Sequence, residues 1–322
     1  MKTLCPGLKT VIAALFMVLC VMEAAAAESV PDNMRERPPR ILLLSSVNLS
    51  FVQYFQEVTS CLNTLNQANS SYLVEHYTPE PSQTLHSPEK LAEIRELLDK
   101  IRAGRYQVVV AFYGPMLDLL RHELRDIPQK VKIIVCGLPP SMADRVPKAP
   151  NVYPLYQDFS IRKNLNLIRT LFPGRKKVIL LSHWNPVGVE IKRLMREEIL
   201  HFPELELLTP DNNQYTPAEI LDYIEQHKKD AVILFFGWFN KYALNAASLH
   251  GLMDRLGHNR DLPLFVMHSS LLYYGTVGGC MEDGQAYGRH AAMLTRRLLD
   301  GEEPHPAGET IPSNIILNQS ML

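Results

Sequence analysis

Residues Tyr106–Phe112 read YQVVVAF and residues Val131–Cys136 read VKIIVC, and these two stretches decide the fold class. Each is a short and almost wholly apolar run, and a helix is predicted between them over residues 115–125. Strands that are apolar on both sides must be buried on both faces, as parallel strands are in a sheet covered by helices. The two stretches therefore predict an α/β fold with a parallel sheet.

The same alternation extends along most of the chain. Further strands are predicted at Ile41–Ser45, Tyr72–Tyr77, Lys177–Ser182, Leu205–Leu208, Ala231–Phe236 and Leu264–His268. Further helices are predicted at 51–66, Pro88–Ala103, Ile161–Leu171, Gly188–His201, Pro217–His227 and Asp283–Leu299. A passage rich in proline, from Pro139 to Pro154, separates two βα series of similar order. We therefore expect two α/β lobes.

The first residues have the pattern of a secretory signal peptide. Lys2 and Lys9 precede the uncharged run Val11–Met22, and the alanines of 24–27 offer a cleavage site. Residues 1–27 are therefore a predicted signal peptide and 28–38 a linker, which places the protein in a bacterial periplasm. An uncleaved membrane anchor is the alternative, although the run is shorter than the roughly 20 residues that span a bilayer. After cleavage we expect no stable membrane insertion.

Composition excludes several classes of protein. With 33 basic and 34 acidic residues the net charge is −1, which argues against a nucleic-acid partner. After the predicted cleavage the cysteines are Cys61, Cys136 and Cys280, too few and too scattered for a disulfide framework or a zinc site. We expect them to be buried free thiols, and we expect no metal.

The chain lacks the motifs of familiar enzymes. It has no Gly-x-Ser-x-Gly, no phosphate-binding Gly-rich loop and no His-Glu-x-x-His, so we predict no catalytic residue, no cofactor and no enzymatic activity. Glu75 and His76 lie next to each other on a predicted strand and could form an acid/base pair or simply a satisfied buried polar group. An exported hydrolase is the weakest of the functions considered.

The C-terminal third resembles a known family. The stretches Tyr274–Gly279 (YGTVGG), Gly284–Ala292 (GQAYGRHAA), Leu298–Gly301 and Ile311-Pro312 together resemble the ABC transporter substrate-binding family. The similarity is to the branch with tryptophan- and tyrosine-binding components and the periplasmic sensor regions of some histidine kinases. The opening Ile41–Phe51 and the step Phe172–Val178 (FPGRKKV) are similar to the same family.

This resemblance implies a type I periplasmic binding fold. Two Rossmann-like lobes with parallel sheets would be joined by a three-strand hinge and would close on a ligand. Lobe 1 would comprise residues 39–155 and 282–305, and lobe 2 would comprise residues 156–281 and 306–322.

Ligands of open parallel sheets bind off the carboxyl ends of the strands, and the residues there are hydroxyls, amides and aromatics. On the first lobe we predict ligand contacts from Ser46, Asn48, Phe51, Tyr113, Gly114 and Gly137. On the second lobe we predict contacts from Tyr156, Asn185, Trp238 and Asn240. Serine and asparagine side chains, with amides at helix N-termini, would bind a carboxylate. Tyr113 and Trp238 would stack on an apolar or aromatic part of the ligand.

The predicted function is capture of a small organic ligand, such as an aromatic amino acid or related carboxylate, for an ABC permease. The alternative is a ligand-sensing input domain whose partner is a membrane receptor kinase.

Overall fold

The computed structural model describes residues 38–45, 52–67, 72–78, 88–112, 126–183, 185–211, 213–238, 246–259, 261–305 and 307–322. This part of the chain forms two six-stranded sheets, each covered by helices. Among the described residues no helix combines the length and the apolar character needed to cross a bilayer.

The first sheet is built mainly from the N-terminal half. Its strands are β1 (Arg40–Ser45), β2 (Leu73–Tyr77), β3 (Val108–Phe112), β4 (Lys132–Leu138), β5 (Val152–Gln157) and β11 (Glu309–Ile311). Their order is β11-β5-β4-β3-β1-β2, and each described neighbour pair is parallel. All of β3 is buried, as its apolar sequence predicts.

Helices cover this sheet on both faces. They are α1 (Val52–Asn66), α2 (Pro88–Arg102) and α7 (Gly284–Leu299). Alternate residues of a strand point to opposite faces. Val109 packs in one apolar cluster with α2, whereas Val108 packs in another with α1 and α7. The α1–α7 contact is close, since a Cβ at Gly288 would lie 2.1 Å from the Glu57 carbonyl oxygen.

The second sheet follows the same plan with one reversed strand. Its strands are β6 (Lys177–Leu181), β7 (Glu206–Leu208), β8 (Ala231–Phe235), β9 (Leu264–Val266), β10 (Gly278–Met281) and β12 (Asn314–Leu317). Their order is β12-β10-β9-β8-β6-β7, and β12 runs antiparallel to β10 while the other pairs are parallel.

Helices also cover the second sheet. They are α3 (Ile161–Leu171), α4 (Pro186–Glu198), α5 (Pro217–His227) and α6 (Ala246–His258). Residues of α3 and α4 pack with Val178 and Leu180 of β6, and residues of α5 and α6 pack with Ile179 and Leu181. Short 3₁₀ segments lie at Pro140–Arg145, Ile199–His201, Ser269–Tyr274 and Gln319–Met321.

Within the described residues the chain passes between the sheets after β5, after β10 and between β11 and β12. The first and last crossings are hydrogen-bonded to each other: the Asp158 amide donates to the Ile311 carbonyl at 3.1 Å, and the Ser313 hydroxyl donates to the Asp158 carbonyl. The first and last crossings therefore lie side by side.

The strands and helices predicted from the sequence are present wherever the structure describes them, with ends shifted by a few residues. The helix predicted over 115–125 lies outside the described residues. The sequence patterning did not predict β5, β10, α6, β11 or β12. Strand β11 belongs to the first sheet although residues 306–322 were assigned to lobe 2, because the chain returns beside β5 after α7. The lobe boundaries themselves stay a prediction.

Cysteines and one asparagine complete the interior. Cys61, Cys136 and Cys280 are buried and free, as expected. The buried Asn164 side chain of α3 donates to the Cys280 carbonyl at 2.7 Å and accepts from the Cys280 amide at 2.8 Å. This pair of hydrogen bonds attaches α3 to β10, close to the second crossing.

We predict that Asn164→Ala lowers the free energy of unfolding by about 1–3 kcal/mol, because both backbone groups of Cys280 lose a buried partner. Urea denaturation measures this loss. Asn166→Ala is the matched control, since Asn166 lies on the same helix and its side chain contacts the exposed Arg169. Equal effects of the two substitutions would contradict the assigned role of Asn164.

Candidate functional site

A cavity lies between the start of α1 and the carboxyl ends of β6, β8 and β9. Its solvent-accessible volume is about 40 Å³, within about 500 Å³ of empty space that includes open solvent. Its described walls are Gln53, Tyr54, His183, Phe235, Phe236, Gly237, Leu249, His250, His268, Ser270, Leu271 and Tyr274. Helix α1 packs on the first sheet and the other walls follow strands of the second. The cavity is therefore at the crevice where open α/β sheets bind ligands.

Aromatic rings form one wall of this cavity. The Phe236 ring directly follows β8, and its centroid lies 5.3 Å from that of His183 and 5.0 Å from that of His268. Phe159, next to the first crossing, meets Phe236 edge to face at 5.1 Å. A wall of this kind offers apolar surface with defined ring edges.

Two glycines fix the position of His183. A Cβ at Gly237 would lie 1.9 Å from Cε1 of the His183 ring, and a Cβ at Gly188 would lie 2.2 Å from the His183 carbonyl oxygen. Burial, together with smaller contributions from the nearby His268 and Lys192, lowers the pKa of His183 to about 3. The ring is therefore neutral at neutral pH.

A buried polar network lies beside the cavity wall. Gln53 donates from Nε2 to Glu282 Oε2 at 3.0 Å and to Glu57 Oε1 at 3.3 Å. His268 Nδ1 lies 3.0 Å from the same Glu282 Oε2. Glu57, Glu282 and His268 are only 0%, 4% and 5% exposed. Gln53 and His268 line the cavity. The carboxyl groups of Glu57 and Glu282 are not among its described wall residues but contact these two side chains.

Burial sets the protonation of this network. It raises the pKa of Glu282 to about 8, although a hydrogen bond with Glu57 opposes the rise. Burial also lowers the pKa of His268 to about 4, against the opposing effects of the Glu57 charge and a hydrogen bond to the Phe236 backbone. At neutral pH Glu282 therefore holds a proton and His268 is uncharged.

The described wall of the cavity contains no Lys, Arg, Asp or Glu side chain. Its polar groups are the amide of Gln53, the hydroxyls of Tyr54, Ser270 and Tyr274, and histidine rings. Nor do the described residues contain a group of three or more His, Cys, Asp or Glu side chains arranged to hold a metal ion. Such a wall suits an organic ligand that is held by ring contacts and a few hydrogen bonds.

Six of the residues predicted to contact ligand lie outside the described residues. They are Ser46, Asn48, Phe51, Tyr113, Gly114 and Asn240. Their role stays a prediction.

The backbone of Gly137 has a structural role. It adopts a φ of 84° at a β-bulge in β4, a conformation that favours glycine. Its amide donates to the Tyr287 hydroxyl at 2.6 Å, and that hydroxyl donates to the Leu155 carbonyl. The amide is thus engaged in tying α7 to β4 and β5.

The other predicted contacts that the structure describes are not brought together at the cavity wall. Asn185 caps α4, because its side chain accepts from the Gly188 amide at 2.8 Å. Tyr156 is buried in the core near the hinge, and Trp238 is 1% exposed within the apolar cluster of α5 and α6. None of the three is a described wall residue, and their predicted contacts with ligand are untested.

The sequence reasoning missed Gln53, His183, Phe236, His268 and Glu282. A signal was available for three of them, since His183, Phe236 and His268 stand at the carboxyl ends of apolar strands. Gln53 and Glu282 gave no such signal, because they meet only through the fold.

Comparison with known proteins gives matches to structures alone. No family model and no curated protein sequence matches the chain. The ABC domain in complex with L-Trp from Streptococcus pneumonia matches over 88% of this chain and 93% of its own, with a TM-score of 0.67 and 12% identity. A 5-methylthioribose transporter solute binding protein from Thermotoga lettingae matches over 89% and 88%, with a TM-score of 0.58 and 15% identity.

A LacI family transcriptional regulator from Arthrobacter in complex with lactose also matches, over 88% of this chain and 99% of its own, with a TM-score of 0.61 and 14% identity. The chain has the type I periplasmic binding fold. This confirms the predicted α/β class with two Rossmann-like lobes and a three-strand hinge. Identities this low concern the fold alone, so the predicted branch of the family stays a prediction.

We predict that Gly237→Ala destabilises the protein by about 1–3 kcal/mol, because the new methyl group must push the His183 ring aside. Thermal or urea unfolding measures the loss, and NMR of the histidine rings reports the displacement. Gly251→Ala is the control: its Cβ would have no neighbour within 4 Å, and on α6 it should be neutral or slightly stabilising. A His183 resonance unchanged in Gly237→Ala would contradict this packing.

Proposed function

We propose that this protein captures a small organic ligand between its two lobes, as an extracytoplasmic solute-binding protein. The observation that carries the proposal is the cavity between α1 and the carboxyl ends of β6, β8 and β9. Its aromatic wall and uncharged polar groups suit ligand capture. The described wall contains no Lys, Arg, Asp or Glu side chain.

The proposed ligand has a flat or ring-shaped part. Phe236, His183 and His268 would contact its faces and edges, while Gln53 and Ser270 would form hydrogen bonds. An aromatic amino acid or a related compound remains the leading class. Ser46, Asn48, Tyr113 and Asn240 are proposed to complete the site from the loops that follow other strands.

The proposed partner is an ABC permease, and the proposed location is the periplasm. The predicted signal peptide supports export, and proteins of the same fold include an ABC domain with L-Trp and a 5-methylthioribose transporter component.

A ligand-sensing role is the second candidate. The match to a LacI family transcriptional regulator in complex with lactose supports it, because a regulator of the same fold there holds a small molecule. A receptor kinase would then take the place of the permease. The neighbouring genes distinguish these roles: a permease and an ATPase indicate import, and a kinase indicates sensing.

We predict that at least one compound in a panel of amino acids, purines, small carboxylates and thio-sugars raises the melting temperature. Ligand at a hundred times its Kd adds about 2.7 kcal/mol to the stability of the bound form. Thermal shift followed by calorimetry measures the effect. Stabilisation by none of the compounds would count against solute capture.

For any compound that stabilises the protein, Phe236→Leu should weaken binding about two- to tenfold, since an aromatic contact is worth roughly 0.5–1.5 kcal/mol beyond its area. Leu200→Ala is the control, because Leu200 is 78% exposed and is not among the described wall residues. Equal affinities in the two variants would place the ligand elsewhere.

A further inference from the structure

A second pocket, the crossing pocket, lies beside the first passage of the chain between the two sheets. Its described walls include residues 139–141 after β4, residues 157–163, and Leu194 and Glu198 of α4. Its solvent-accessible volume is about 430 Å³, within about 910 Å³ of empty space that includes open solvent. No described residue lines both this pocket and the cavity of the candidate site. The crossing pocket is therefore a separate site.

One wall residue of the crossing pocket carries a buried donor without an acceptor. Gln157 is the last residue of β5 and is only 1% exposed. Its side-chain Nε2 is buried and has no hydrogen-bond partner among the described residues. Buried amide groups are nearly always paired in folded proteins, because leaving one without a partner is costly. The pocket therefore calls for an acceptor that the protein itself does not supply.

The first turn of α3 adds donors to the same pocket. The Asn164 amide donates to the Ser160 carbonyl at 3.1 Å, so the amides of residues 161–163 precede this bond and have no partner within the helix. Ser160 precedes the helix but makes no capping bond with its side chain, because its hydroxyl donates to Asp158 Oδ2 instead. Uncapped amides at the positive end of a helix bind the oxygen atoms of anions.

The charged side chains of the described pocket wall balance each other. Arg162 donates to Glu198 through two hydrogen bonds of 2.7 and 3.2 Å. Lys163 Nζ lies 3.9 Å from Asp158 Oδ2, and the Asp158 carboxylate also accepts from the amide and the hydroxyl of Ser160. Each carboxylate thus has a cation beside it. A singly charged anion fits this balance better than a doubly charged one, which Asp158 would repel more strongly.

We propose that the crossing pocket binds a small organic anion through a carboxylate group. Oxygen atoms of the anion accept hydrogen bonds from Gln157 Nε2 and from the first amides of α3. A carboxylate suits these donors, since its two oxygens offer about four acceptor positions and carry one charge in total. This site is additional to the cavity proposed for solute capture and does not depend on it.

Amide NMR of the whole ¹⁵N-labelled protein tests the site directly. Sodium acetate is titrated at constant pH and ionic strength, with sodium chloride as the reference. The backbone amides of residues 161–163 and the side-chain amide of Gln157 are expected to shift together and to saturate with one Kd. No shift beyond that in chloride would overturn the proposal and leave water as the partner of Gln157. Acetate shifts confined to Gly237 and His268 would overturn it as well, because acetate would then occupy the cavity.

Gln157→Met separates binding from stability. Methionine has a similar volume and removes the unpartnered donor, so the free energy of unfolding without acetate should not fall. The Kd for acetate should rise at least tenfold, because a hydrogen bond to a charged group is lost. Gln226→Met is the matched control, since Gln226 is exposed on α5 and is not a described wall residue, and it should bind acetate as the wild type does.

Equal acetate affinities in Gln157→Met and the wild type would overturn the assigned role of Gln157. If Gln157→Met does not fold, the titration of the wild type decides. Inorganic phosphate distinguishes the two kinds of oxyanion: it is expected to bind more weakly than acetate, and tighter binding of phosphate would overturn the choice of a carboxylate. A failed ligand screen at the cavity leaves this test intact, and a flat acetate titration leaves solute capture standing.

Discussion

Burial of parallel strands on both faces is the constraint on which this structure depends. A strand such as Val108–Phe112 has no polar side chain to turn toward water, so helices must cover both sides of its sheet. Each connection then returns over a face of the sheet, and the chain leaves the regular structure at the carboxyl ends of the strands. The backbone that is free to hold a ligand is therefore gathered at one edge of each sheet, and the cavity beside Phe236 and His183 lies at such an edge.

The same burial governs the charges near the cavity. Removing Glu282 and His268 from water disfavours the charged form of each, so the pKa of the carboxyl group rises and that of the imidazole falls. The result is a neutral pair where a surface ion pair would carry two charges. An uncharged acid can donate a hydrogen bond and a neutral imidazole can accept one, as the 3.0 Å contact between Glu282 Oε2 and His268 Nδ1 allows.

Local patterns in the sequence predicted those features that depend on neighbouring residues. The apolar run Ala231–Phe235 and the capping box of Thr216 and Glu219 at α5 are local features of this kind. The predicted strand and helix are present there. The sequence pattern did not indicate strand β12, because it is an exposed edge strand of four residues that pairs with β10.

The candidate site was harder to predict, because its residues come from distant parts of the sequence. Trp238 and Asn185 stand at strand ends as ligand residues would, yet tertiary packing places one in the core and makes the other a helix cap. Gln53 and Glu282 are 229 residues apart in the sequence, and only the fold brings their side chains into contact. Strand ends identify the edge of the sheet at which a site lies, whereas the identity of its polar groups depends on contacts between distant segments.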